Sequence, residues 1–362
     1  MLKRILILIL GILISSSIAQ ANESPSRALF VSVIQNPPVL SSRKDILGLI
    51  DFAKQSHIKI LFVQVYHSNQ AWFPSHIVDD SWYKENLKTV KEDPLALLIK
   101  EAHAEGVEVH AWLNLMSLGA NKNASFLKKY GPEILTRNLE KKTKLEDYKI
   151  DRQYFLEPGD PRVRNDLAKL VGELLNEYPS LDGIQFDYIR YPDVHPHYGY
   201  TKVNIARFKK ATGLKVIDET SSIWQDWRRS QVTEVLTKLV RLVRSRRPHM
   251  QVSTTGCMPY ARAMYEAYQN WPFWIDSGLT DFVTIMDYSI DPVQFKKWIM
   301  VIKEKTKAFS KVHIAVGAEK LVHAPETFET EFNICEQMKA SCTIFHYGNL
   351  LENPKLHDFL KN

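Results

Sequence analysis

Three acids stand where predicted strands run out into polar, aromatic loops. They are Asp187 in LDGIQFDYIRYP (181–192), Asp287 in DFVTIMDY (281–288) and Glu319 in HIAVGAE (313–319). Two carboxylates flanking a glycosidic bond are the minimal machinery for its hydrolysis. One protonates the leaving oxygen, and the other attacks the anomeric carbon or activates water. Other strand ends supply groups that suit a sugar: Gln64, Tyr66 and His67; Trp112 and Asn114; Arg190 and Tyr191; Thr255; Met286 and Tyr288; His346 and Tyr347. Aromatic rings match the apolar faces of pyranoses, and amides and imidazoles match their hydroxyls.

Strand alternation ranks the acids. In GIQFDY, Gln185 and Asp187 share one face while Ile184, Phe186 and Tyr188 share the other. In HIAVGAE, Ala315, Gly317 and Glu319 share a face, so the small residues leave room and Glu319 is expected to point inward with Asp187. Met286 and Tyr288 share a face, which turns Asp287 the other way, and a helix cap or surface pair is its plainer reading. Arg190 beside Asp187 favours the ionised acid, whereas burial favours the neutral one. His195 and His197 have no Cys or carboxylate at ligand spacing, and the chain has no CxxC or HExxH. No metal or cofactor is expected; metal-dependent deacetylation would need His67, His110 and His346 to converge. Trp72, Trp82, Trp271 and Trp274 fall in loops as sugar platforms, whereas Trp224, Trp227 and Trp298 fall on helical faces as core.

The elements that must position these groups alternate eight times. Strands are predicted at 28–34, 59–66, 108–114, 181–188, 251–257, 281–288, 313–319 and 342–348. Ser42 with Asp45 reads as a capping box, and Asp93-Pro94, Asp160-Pro161 and Asp291-Pro292 each open a helix with an N-cap acid and a first-turn proline. A long amphipathic helix is predicted over 223–246. Parallel strands joined by helical crossovers, with no glycine-rich dinucleotide fingerprint, predict an α/β fold, a (β/α)8 TIM barrel with long βα loops. Its reactive centre belongs at the C-terminal ends of the strands.

Lys3 and Arg4, the apolar run 5–14 and Ala19-Gln20-Ala21 read as a signal peptide over 1–21, followed by one domain over 22–362. A secreted or periplasmic protein is expected, with no membrane insertion after cleavage. Losing Lys3 and Arg4 lowers the formal charge of +6 by two. That mildly basic balance allows anionic glycans as partners but is no nucleic-acid footprint. Three cysteines, Cys257, Cys335 and Cys342, leave at least one thiol unpaired within the chain. Nothing in the pattern speaks to oligomeric state.

The segments DPLALLIKEAHAEGVEVHAWLN (Asp93–Asn114), LEPGDPRVRNDLAKLVGELL (Leu156–Leu175) and LDGIQFDYIRYP (Leu181–Pro192) resemble the glycosyl-hydrolase-like family 10. The likeness runs from about Ala28 to Gly348. It implies a TIM barrel, an exported bacterial protein and action on a polysaccharide, including peptidoglycan glycan strands stripped of their peptides. It places Asp187 as the strand-four acid, and Asn114 and Trp112 as the strand-three Asn and Trp. Tyr188 stands where the family has a second acid, and Leu115 where it has a proline. Met286-Asp287-Tyr288 with DGI is more weakly similar to glycoside hydrolase family 18, whose Glu two residues after the Asp is here Ile189. The combined reading takes Asp187, Glu319 and Asp287 as catalytic candidates. Tyr66, His67, Trp112, Asn114, Arg190, Tyr191, Tyr288 and His346 are the substrate-binding candidates. A barrel that binds glycans without cutting them is the alternative.

Overall fold

In the computed structural model, residues 26–194 and 196–361 are described; the expected signal peptide and His195 lie outside them. Eight parallel strands form the wall: β1 (Arg27–Val31), β2 (Ile60–His67), β3 (Glu108–Asn114), β4 (Gly183–Asp187), β5 (Gln251–Cys257), β6 (Phe282–Asp287), β7 (Val312–Gly317) and β8 (Ser341–Phe345). Each pairs with the next, and β8 pairs back onto β1, so the sheet closes as the (β/α)8 barrel that the alternation predicts.

Alternation decides what faces in. Leu61, Val63, Val109, Ala111, Ile184, Phe186, Val283, Ile285, Ile314 and Val316 turn outward into one continuous core under the helices. Ala28, Phe30, Ile60, Phe62, Trp112 and Phe282 turn inward and form a separate plug inside the wall. Phe30 packs against Phe62 at 4.9 Å and edge-on to Trp112 at 4.8 Å, and Phe282 stacks on His313 at 4.4 Å. Burying each such ring contributes on the order of 2–3 kcal/mol. Above this plug the inward residues become polar and the interior turns from filler into site.

The predicted caps are in place. Ser42 accepts from the Asp45 N–H, Asp93 from Ala96, Asp160 from Arg162 and Asp291 from Val293. Each fixes where a helix leaves the strand-end face, and with it the following strand's height in the wall. Two departures shape the mouth. β2 carries a bulge between Gln64 and Tyr66, which breaks its alternation. β7 ends at Gly317, and the chain turns at once into a short helix, Ala318–Leu321.

Gly183 opens β4 against the His110 ring, and a Cβ there would meet that ring at 2.4 Å. His110 is fully buried, so it has nowhere to go. Gly183→Ala is expected to lower the unfolding free energy by about 1–3 kcal/mol. Urea unfolding at unchanged m value checks this, and a loss below a few tenths would show that the two strands are not in this register.

Candidate active site

Asp187 ends β4 and is 4% exposed. Its Oδ2 accepts from Trp112 Nε1 at 3.0 Å and Asn114 Nδ2 at 3.3 Å. Its Oδ1 accepts from Thr255 Oγ1 at 2.5 Å and from the Tyr188 N–H at 2.6 Å. The donors come from the strands on either side and from the first residue beyond β4. Tyr188 can point its N–H back because it takes a left-handed φ of 56°. The amide that holds Asp187 is itself held. Asn114 Oδ1 accepts from Gln64 Nε2 at 2.9 Å, and Gln64 Oε1 accepts from Ser32 Oγ and the Val33 N–H. A chain of oriented amides thus runs from the end of β1 to the carboxylate.

Around it stand groups from four further strand ends. His67 lies within the field of Asp187, and burial pushes its imidazole below the usual range against that carboxylate's pull. Tyr288 leans on Phe345 at 5.2 Å. Burial, reinforced by Asp187 and Glu319 and opposed by Arg190, raises the Tyr288 hydroxyl well above an ordinary phenol, so it stays a proton donor. Glu319 lies exposed on the short helix after β7, close enough to act on both Tyr288 and His346. Burial lowers the His346 imidazole, and Glu319 partly restores it. Arg190 lies over the Tyr188 ring at 4.2 Å and donates to the Cys257 sulfur at 3.2 Å. Burial pushes the Cys257 thiol up to about 12, with Arg190 opposing. Tyr188 stacks on Phe155 at 6.2 Å, and the Gln153 amide reaches its hydroxyl. The long loop after β3 therefore forms one wall of the mouth.

The fold thus gathers Asp187, Trp112, Asn114, His67, Arg190, Tyr288, His346 and Glu319 at one end of the barrel. Glu319 gets there by a route different from the one expected: the strand stops two residues earlier, and a helical turn carries the acid to the rim. Three other candidates fall elsewhere. The bulge in β2 turns Tyr66 outward, where it is fully buried in the outer core and takes a hydrogen bond from Asn69. Tyr191 is fully buried and donates to Glu157 at 2.6 Å, because the left-handed turn at Tyr188 resets the alternation. Asp287 points out of the wall, as its parity with Met286 requires, toward Glu331 and Cys335 on the helix Pro325–Gln337. Of the other residues considered, His110 lies in the barrel interior against Phe62, well below the strand ends. Trp271 and Trp274 are fully buried rather than displayed. Phe345 and Gln153, which no alternation or motif singled out, complete the walls; Phe345 was legible only as an aromatic at the end of β8.

The Asp287–Glu331 pair gives a pH dependence. Burial lifts Asp287 to about 8, with Glu331 adding to it, and burial lifts Glu331 to about 8, with Asp291 adding to it. In the unfolded chain both release their protons near pH 4. Between those limits the folded state holds more protons, so stability falls as pH rises from about 4 to about 8. Asp287→Asn and Glu331→Gln keep shape without titrating. Each is expected to flatten that fall, with denaturant midpoints gaining on wild type as pH rises; identical slopes in all three proteins would contradict it.

Three kinds of likeness bear on this geometry. The fold is similar to the catalytic domain of a β-amylase from Paenibacillus polymyxa, with TM-score 0.58, 11% identity, and 92% of this chain and 97% of that one covered. It is also similar to a glycoside hydrolase family 18 N-acetylglucosaminidase from Paenibacillus barengoltzii, with TM-score 0.53, 10% identity, and 93% and 99% covered. In sequence, the chain is 23% identical to glycosyl hydrolase DigH of Escherichia coli K12, over 74% of this chain and 66% of the relative. It is also 23% identical to glycosyl hydrolase YngK of Bacillus subtilis, over 69% and 50%. The match thus spans about two thirds of the first relative and half of the second. Residues 27–333 match the model of glycosyl hydrolase-like 10, which takes in seven of the eight wall strands, β1 to β7. The chain belongs to the glycosyl hydrolase-like 10 family.

Proposed function

We propose that the protein is an exported glycoside hydrolase that cleaves a polysaccharide, with peptidoglycan glycan strands as the leading substrate. The observation that carries this is the Asp187 carboxylate, fixed by four donors at the strand-end mouth of a barrel whose family is glycosyl hydrolase-like. Held in place by these donors at the end of β4, Asp187 is cast as the base or nucleophile of the pair. Glu319, exposed on its short helix, is the partner that would protonate the leaving oxygen. Tyr288, which feels both acids, would hold the sugar between them by donating to a ring substituent. His67, His346 and Asn114 would serve the remaining hydroxyls. The basic start and apolar run at the N-terminus support export.

One observation favours a barrel that binds without cutting. Tyr188, at the place of the family's second acid, is locked between Phe155 and Arg190 and offers no second carboxyl beside Asp187. Assay of new reducing ends from denuded peptidoglycan and chitin-like polymers separates the two. Wild type is expected to release ends from one of them, and Asp187→Asn to lose about 10²–10⁴ of that rate at a temperature where its circular dichroism shows it still folded. Glu319→Gln is expected to lose a comparable factor. Binding without cleavage by wild type would favour the non-catalytic barrel, and cleavage that survives in Asp187→Asn would remove Asp187 from the chemistry.

A further inference from the structure

Seven of the eight tryptophans are buried or half-buried; Trp82 is 47% exposed. It is not loose. Its ring lies parallel to that of Trp72, with 4° between the planes and 6.0 Å between centroids. Trp72 is 7% exposed, and its backbone N–H donates to the Val65 carbonyl on β2 at 2.9 Å, so the lower ring is buried on a stretch of chain bonded to the barrel wall. Trp82 itself lies in the first turn of the helix Ser81–Val90, whose preceding residue, Asp80, is buried and paired with Lys84. One indole face is thus clamped by a second indole on a strand, and the rest is left in water.

The location is specific. Gln70–Ala71 pairs antiparallel with Tyr66–His67 at the C-terminal end of β2, the end that carries the mouth. Asp79 bridges to that hairpin: its carbonyl accepts from the Ala71 N–H, and its carboxylate accepts from Gln70 Nε2 at 3.0 Å. Trp82 follows three residues later. Gln70, opposite His67 in that hairpin and bonded to Asp79, therefore ties the mouth end of β2 to the segment that carries the exposed indole.

A flat aromatic stacked on a buried ring, half in water, with an amide and a carboxylate on the adjoining hairpin segment has the features that bind a pyranose. Its face takes the axial C–H side of the ring, and Gln70 and Asp79 take equatorial hydroxyls or an amide. We infer that Trp82, backed by Trp72 and flanked by Gln70 and Asp79, is a second glycan-binding platform. It would hold a remote sugar unit of the polysaccharide whose scissile bond lies at Asp187. The inference rests on the proposed glycan substrate, but it concerns binding of chain length rather than chemistry. A remote platform adds affinity for a polymer and nothing for a substrate too short to reach it.

The test uses the full chain with Trp82→Ala and Trp82→Phe. Denuded peptidoglycan strands and a soluble chitin-like polymer serve as long probes, and a trisaccharide of each as a short one. Retention in affinity electrophoresis is read on the Asp187→Asn background, and turnover on the otherwise wild-type background. Trp82→Ala is expected to weaken retention of one polymer by roughly three- to tenfold and to raise KM for that polymer by the same factor. The trisaccharide kcat/KM should stay unchanged, and Trp82→Phe should recover most of the loss. Equal retention of both polymers by the parent and Trp82→Ala overturns the platform, and so does an equal loss on polymer and trisaccharide. A change of sedimentation coefficient in Trp82→Ala, with glycan retention unaltered, also overturns it by assigning the indole to self-association. Should wild type cut no glycan, a Trp82-dependent retention of polymer still supports the platform while the hydrolase reading fails; retention by neither protein overturns it.

Discussion

The mouth of this barrel depends on one buried carboxylate and the four groups that donate to it. Removing a carboxylate from water costs several kcal/mol unless partners replace the solvent. Asp187 therefore constrains whatever can donate to it. Charge-assisted hydrogen bonds contribute about 1.5–3 kcal/mol each, and four of them offset such a cost only if their geometry is kept. Trp112 and Asn114 must stand at fixed heights on β3, Thr255 must face it from β5, and Tyr188 must hold a left-handed turn. Asn114 then needs Gln64 on β2, and Gln64 needs the backbone just beyond β1. Five neighbouring strands are placed in register by the needs of one acid.

Trp112 links the two halves of the interior. Its ring packs on Phe30 in the apolar plug, and its N–H reaches up to Asp187. Plug and site are in this way one packed unit, and a change in either is felt by the other. The opposite wall is built differently. Glu319 sits on a helical turn rather than a strand, close enough to act on Tyr288 and His346. One acid is buried among four donors and the other is exposed on the rim, a division suited to paired carboxylates that take different roles in one reaction.

Much of this was legible in the sequence, because alternation and capping are local. The eight strands, the inward face of Asp187 and the outward face of Asp287 follow from side-chain parity, and the Asp-Pro helix starts follow from N-cap chemistry. What could not be read was where parity breaks. KILFVQVY puts Tyr66 on the face of Gln64, and nothing in those letters announces the bulge that sends Tyr66 outward and brings His67 to the mouth. HIAVGAE alternates through Glu319, but the strand ends at Gly317, where an added Cβ would come within 3.2 Å of Tyr288. Tyr191 was misplaced because the turn at Tyr188 is an unfavourable conformation for that residue, held by its N–H bond to Asp187 and the stack on Phe155. These are tertiary causes, and a single chain's pattern carries no trace of them.

The most direct measurement is a crystal structure of the Asp187→Asn protein soaked with an oligosaccharide of the polymer that wild type cleaves. The account predicts that a glycosidic bond lies between residue 187 and Glu319. It also predicts that the two carboxyl positions stand either about 5 Å apart, as retention requires, or about 6.5–9.5 Å apart, as inversion requires. A sugar bound away from residue 187, or a glycan in place with Glu319 well outside that range, would contradict it.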